Sequence, residues 1–357
     1  MSGISLQARD LEATFAGLHE WIAEHFPEIE QPTLDTVRTN AVGGFSSDCL
    51  MFDVHGRAAE REVVMPVVAR MPPSGEGVFR DYDLKRQFQV QHLLEPTDVP
   101  VARQLGYESD ERYIGCPFIL MEFVEGQVPP SQPPFYKQGW VVELAEGQRR
   151  TMYDNALAAL CALHRLDVPA SSMEVAQRPE GSGLDAEMKW CWDYIQWASE
   201  GEVPPEVRAL ADWCAERMPA APPRNVICWG DARLGNMIFR DDMSVAALLD
   251  WEMVTVAPPE LDLGWFLAFR AQTRARSGGA DPEIQGLRTR QDSIQRYEKL
   301  LGREIENIEW YEMFSMLRLA GPCLGTKRIV RLKGIKDHFI HGFAPVEKWV
   351  LDFISTH

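Results

Sequence analysis

The chain changes texture once, and that change limits the folds open to it. Before Glu125, short β-branched stretches alternate with single helical segments. At Gly126-Gln127-Val128-Pro129-Pro130-Ser131-Gln132-Pro133-Pro134 a proline-rich connector follows, because successive prolines supply no N–H to a helix or a ladder. Beyond it helical spacing dominates, over 149–165, 185–200, 205–217 and several segments after 285. In the first part, Leu11, Phe15, Leu18 and Ile22 recur at helix spacing until Pro27. Strands are then predicted near Cys49–Val54 and Val63–Arg70, with a turn at His55-Gly56 and a stop at Pro72-Pro73. A helical pattern over Asp81–Leu94 and two further strands, Val101–Gly106 and Pro117–Val124, complete it. The expected architecture is α+β: a small antiparallel-sheet lobe over 1–121, a hinge over 122–130 and a larger, mainly helical lobe over 131–357. A cleft between two lobes is a preferred place for a ligand.

Composition excludes several classes. With 36 Lys+Arg against 53 Asp+Glu, the net charge of −17 leaves no basic surplus to neutralise a nucleic-acid backbone. The longest apolar runs, such as Val63–Ala69, are too short to span a bilayer, and Met1–Asp10 has no signal-peptide pattern. The seven cysteines are scattered, without a C-x-x-C pair, and the histidines form no zinc motif. A cytoplasmic protein is expected, with reduced cysteines and neither a nucleic-acid nor a membrane partner; nothing fixes its oligomeric state.

One interruption of the helical part carries chemistry. Residues 225–255 read as strand, loop, strand, loop, strand, with Trp229-Gly230-Asp231-Ala232-Arg233-Leu234-Gly235-Asn236 on the first loop and Leu248-Leu249-Asp250 ending a later apolar strand. An Asp and an Asn five apart, followed by an Asp at the next strand end, suit phosphoryl transfer. One carboxylate takes or orients a hydroxyl proton, while an amide oxygen and the second carboxylate hold Mg²⁺ through hard oxygens. An acid-rich loop is also ordinary turn chemistry, and a metal-dependent hydrolase built on Asp231, Asp250 and Glu252 would need more converging ligands.

Over roughly 35–330, and most strongly over 226–265, the sequence resembles the aminoglycoside phosphotransferase family, the small-molecule branch of the protein-kinase-like fold. The resemblance implies Asp231 as catalytic base, with Arg233 adding charge near the phosphates, and Asn236 and Asp250 as Mg²⁺ ligands. It also implies Asp262 as the acid that braces the catalytic loop. The family's loop begins His-Gly-Asp; this chain has Trp229 in the first position.

In the first lobe the resemblance implies an ATP site: Gly43, Gly44, Ser46 and Ser47 covering phosphates, and Arg70 where the family carries a strand lysine. It places Met121 as a pocket wall, with the backbone of Glu122 and Val124 reading the adenine edge. Gln87 stands where a glutamate usually pairs with that lysine. An arginine facing an amide forms no ion pair, so a catalytically weak or inactive nucleotide-binding module of the same fold is the alternative to an ATP- and Mg²⁺-dependent kinase acting on a small-molecule alcohol. His164 rides an apolar helix face, which favours a hydrogen-bonded core histidine. Trp190, Tyr194 and Trp197 form a helical aromatic stripe, more a core feature than an acceptor wall. The run Lys327, Arg328, Arg331, Lys333 and Lys336 suits a solvated helix end.

Overall fold

The computed structural model describes residues 9–35, 47–131, 134–220, 224–276 and 285–332, with backbone alone for 270–276. In chain order the elements are α1 (Leu11–His25), β1 (Glu30–Leu34), β2 (Asp48–Ala58), β3 (Arg61–Met71), α2 (Leu84–Leu94), β4 (Gln104–Glu108) and β5 (Phe118–Glu122). Then follow α3 (Trp140–Glu143), α4 (Glu146–His164), α5 (Ala170–Met173), α6 (Leu184–Ala198), α7 (Pro205–Glu216), β6 (Val226–Cys228), β7 (Met237–Phe239) and β8 (Val245–Leu248). The last are β9 (Thr255–Ala257), α8 (Glu260–Arg276), α9 (Arg290–Leu301) and α10 (Ile308–Leu332). They divide into two compact units, Met1–His92 with Ala102–Val124, and Leu93–Val101 with Glu125–His357.

The first unit is an antiparallel sheet in the order β1-β2-β3-β5-β4. Alternation along β2 sends Leu50, Phe52 and Val54 inward, where they meet Leu18, Trp21 and Ile22 of α1. That helix starts where the Asp10 carboxylate accepts from the Ala13 N–H at 3.0 Å. The opposite face gathers Ile119 and Met121 with Leu84 and Phe88 of α2, Val68 and Val124. Directly paired residues of antiparallel strands share a face, so the pairs Val68↔Met121 and Arg70↔Ile119 put Arg70 on this second face as well.

Local turn chemistry displaced some boundaries. The β2–β3 turn falls at Ala59-Glu60, both at positive φ (48° and 66°), as a two-residue hairpin of this hand requires. His55 and Gly56 instead lie inside β2, opposite Val64 and Val63. Strand β1 carries only five residues and no marked alternation, and was not foreseen. The interruption after α7 holds four short strands, not three, paired as β6 with β9 and β7 with β8.

In the second unit α10 packs on α8 and α6. At Gly264 a Cβ would lie 2.7 Å from the backbone carbon of Tyr311, so only a hydrogen fits between α8 and α10. Gly264→Ala is therefore expected to lower stability by about 1–2 kcal/mol, overpacking outweighing the gain in helix propensity. Gly147→Ala, in α4 where a Cβ meets nothing within 4 Å, is expected to leave stability unchanged or raise it. Urea denaturation of both variants checks the opposite signs. Among the described residues no helix is long and apolar enough to cross a membrane.

Candidate functional site

The loop from β6 to β7 is bent by one residue. Gly230 has φ +93°, and a side chain there would run into the Met253 carbonyl. Only glycine meets both demands, and the bend turns the chain from the buried Trp229 to the partly exposed Asp231.

Three donors meet at the Asp231 carboxylate. Asn236 Nδ2 donates to Oδ2 at 2.7 Å, Trp265 Nε1 to Oδ1 at 2.8 Å, and Arg233 Nε reaches both oxygens at 3.2 and 3.3 Å. The side chain keeps 19% exposure, so a carboxylate with about four acceptor positions retains room for a further hydroxyl. Asn236 is buried and uses its Nδ2 on Asp231, leaving Oδ1 as its acceptor atom. Its backbone oxygen accepts from Leu249 N–H at 2.8 Å, which ties the loop to the residue before Asp250. Asp250 itself sits in the left-handed region, φ 56° and ψ 68°, a conformation aspartate tolerates better than most residues. Trp229 adds a second tie, its Nε1 donating to the Leu249 carbonyl at 2.7 Å. The structure thus brings Asp231, Arg233 and Asn236 into direct contact and joins the Asp250 segment to them. An amide oxygen and a carboxylate are hard donors, and this pair fits Mg²⁺, which keeps several waters and takes few protein ligands.

One face of α8 grips this loop. Asp262, fully buried, accepts from Trp229 N–H at 2.6 Å and Gly230 N–H at 2.8 Å. One turn on, Trp265 holds Asp231; one turn further, the Arg233 guanidinium lies 5.5 Å from the Phe269 ring centroid. Positions i, i+3 and i+7 share a helix face. Three side chains of α8 therefore meet the loop in sequence order. Asp262 is expected from the sequence, whereas the parts of Trp265 and Phe269 emerge only in the structure. The signal was present in that i, i+3, i+7 spacing, within a run otherwise typical of a core helix.

His164 lies behind the loop, between the Tyr297 hydroxyl on Nδ1 and Asp262 Oδ2, 3.0 Å from Nε2. Burial raises the Tyr297 pKa well above its ordinary value. The phenol stays protonated, and both imidazole nitrogens are engaged, Nδ1 by the Tyr297 hydroxyl and Nε2 by Asp262. The Cys228 thiol, also raised by burial, faces the Ala257 and Pro258 carbonyls at 3.4 Å. Tyr194 is buried against α10 at Gly321, Trp190 stacks under Arg178 at 3.5 Å, and Trp197 under Arg328 at 4.6 Å. Arg328 and Arg331 both pair with Glu200; Lys333 and Lys336 lie outside the described residues.

In the first unit Arg70 is 8% exposed on β3, and Gln87 is buried on α2. Met121 and Val124 join the second-face cluster with Val68. The Glu122 carboxylate accepts from Arg103 at 2.9 Å, and its N–H donates to the Arg103 carbonyl. Ser47 is buried just before β2, whereas Gly43, Gly44 and Ser46 lie outside the described residues.

Residues 56–295 match the family model described as the phosphotransferase enzyme family, well over half of the chain. The chain belongs to that family. A candidate aminoglycoside phosphotransferase from Ralstonia eutropha superposes with a TM-score of 0.66 at 25% identity, covering 93% of this chain and 92% of that one. An aminoglycoside 2'-phosphotransferase solved as its GDP complex gives 0.55 at 13% identity, over 94% and 99% of the two chains, a likeness of fold. The sheet unit followed by a mainly helical unit is thus the kinase-like fold of this family. Mouse acyl-CoA dehydrogenase family member 10 is 27% identical over 316 residues, 84% of this chain but 28% of that protein. The chain spans about a third or less of the length of this and similar curated relatives, which bear acyl-CoA dehydrogenase names. Trp229, which stands where the resemblance leads one to expect a histidine, meets Asp262 through its main-chain N–H.

Proposed function

We propose that the protein transfers the γ-phosphoryl group of Mg·ATP to a hydroxyl of a small molecule. The observation that carries this is the partly exposed Asp231 carboxylate, gripped by Asn236 and Trp265, with the Asp250 segment tied to Asn236, in a chain of this family. Asp231 accepts a hydrogen bond from the acceptor hydroxyl and aims its oxygen at the γ-phosphorus. As the new O–P bond forms, the bond to the β,γ-bridging oxygen breaks, ADP departs, and the hydroxyl proton passes to Asp231. Arg233 offsets charge spread over the phosphoryl oxygens. Asn236 Oδ1 and the Asp250 carboxylate would hold Mg²⁺, which when bound would supply positive charge against the phosphates. Arg70 and the segment with Gly43, Gly44, Ser46 and Ser47 serve the phosphates. Met121, Val124 and the backbone of Glu122 serve the base. Alignment and electrostatics supply most of the rate.

For the acceptor, the relatives' names favour an alcohol carried on an acyl-CoA, which the family description alone does not specify. The test is a mass-shift screen with Mg·ATP and a pool of hydroxyacyl-CoA thioesters, aminoglycosides, macrolides, sugars and polyols. A phosphate gain on one acceptor class is expected, lost on chelation of Mg²⁺ and restored by its return. ATP binding by calorimetry with no product across the pool would favour the nucleotide-binding module, and no ATP binding would end the proposal.

A further inference from the structure

We propose that Trp265 is a positioning residue of the transfer reaction, the donor that fixes the orientation of the Asp231 carboxylate. The inference rests on the phosphotransferase reading and adds a residue to it. A carboxylate turns easily about its last torsion, so a contact at each oxygen is needed to hold its plane. Asn236 secures Oδ2 and Trp265 secures Oδ1. The other two donors have second duties in the reaction, Asn236 toward the metal and Arg233 toward the phosphoryl oxygens. Trp265 has none. An indole N–H donates and cannot accept, so it can neither take the acceptor's proton nor bind the cation; it can only hold Asp231.

The ring is itself held. Trp265 is 2% exposed, and the guanidinium of the fully buried Arg318 lies 5.0 Å from its centroid. Arg318 Nε is 3.5 Å from Glu187 of α6, and Arg178 Nη1 is 3.6 Å from the other oxygen of that carboxylate. Gly264, the residue before, lets α8 approach α10 closely enough for Arg318 to reach the indole. The Asp231 carboxylate is thereby referenced to the packed core of three helices, while Asn236 references it only to its own loop.

The test uses Trp265→Phe, which removes the donor and keeps an aromatic ring. The benzothienylalanine isostere at 265, which keeps the indole shape without its N–H, serves if the phenylalanine variant does not fold. In ¹⁵N-indole NMR spectra, the resonance missing from Trp265→Phe is expected to be the one displaced in Asp231→Asn; an unmoved resonance overturns the contact. With Mg·ATP, and water or a screened acceptor as phosphoryl acceptor, kcat is expected to fall about 10- to 100-fold. KM for ATP should stay within about twofold, since the residue touches neither substrate. A merely structural loss would raise KM or lower the melting temperature in step. An unchanged kcat in an active protein overturns the role of Trp265 alone. A wild-type protein that transfers phosphate to nothing, water included, overturns the phosphotransferase reading and this role with it.

Discussion

Asp231→Asn is expected to lower phosphoryl transfer by about 10³-fold or more while the protein stays folded. The asparagine can still accept from Trp265 and occupies the same volume. What it loses is the negative charge, the ability to accept a proton as the O–P bond forms, and one acceptor oxygen, so that its NH₂ would face Asn236 Nδ2. General-base assistance alone contributes roughly 10²–10⁴, and 10³ corresponds to about 4 kcal/mol of barrier. The cost in stability is the smaller of the two, about 1–3 kcal/mol for the Asn236 donor left without its acceptor. The Arg233–Asp231 pair is partly exposed, and such pairs contribute about 1 kcal/mol or less. Steady-state kinetics with the acceptor found by screening, alongside urea denaturation, separates the two quantities. A variant that keeps more than roughly a tenth of wild-type kcat would show that proton acceptance at this position is not needed. Nucleotide affinity should survive, because Asp231 is assigned to the acceptor and not to ATP.

Asp262→Asn should do the reverse, harming the fold and the activity together. Its two oxygens accept from Trp229 N–H, Gly230 N–H and His164 Nε2, all in a site closed to water. An amide offers one oxygen, and its NH₂ would face a donor already in place. Leaving a buried donor unpaired costs about 1–3 kcal/mol, and more where the lost partner is charged. A loss near 3–4 kcal/mol is therefore expected in urea denaturation. The local consequence can be read separately: the Trp229 and Gly230 amides should exchange with deuterium far faster in the variant than the amides of α10. Equal protection in both proteins would mean that Asp262 does not hold the loop. His164→Ala, which removes only one of the three donors, should cost less than Asp262→Asn and leave both amides protected.

The two-part texture of the chain, the antiparallel sheet and the short spacing of Asp231, Asn236 and Asp250 are legible in the order of residues alone. Each depends on short-range patterning. Strand alternation, the proline stops at Pro72-Pro73 and the five-residue spacing on a loop are visible in the order of residues, because neighbours in the chain create them. Turn placement was the weakest part of that local record: Gly56 looked like a turn, yet two non-glycine residues, Ala59 and Glu60, adopt the left-handed conformation instead. The tertiary structure alone decided what surrounds the site. Trp265 reaches Asp231 across 34 positions, Arg318 reaches Trp265 from α10, and His164 meets Tyr297 and Asp262 from three different helices. In the sequence these are an aromatic, a cation and a histidine on otherwise apolar helices, indistinguishable from ordinary core positions. Their meeting depends on how α8 lies against α10 and against the loop, which is set by close approaches such as Gly264 on Tyr311. Helix packing joins residues by shape and volume, and one-dimensional spacing does not encode which helix will be the neighbour.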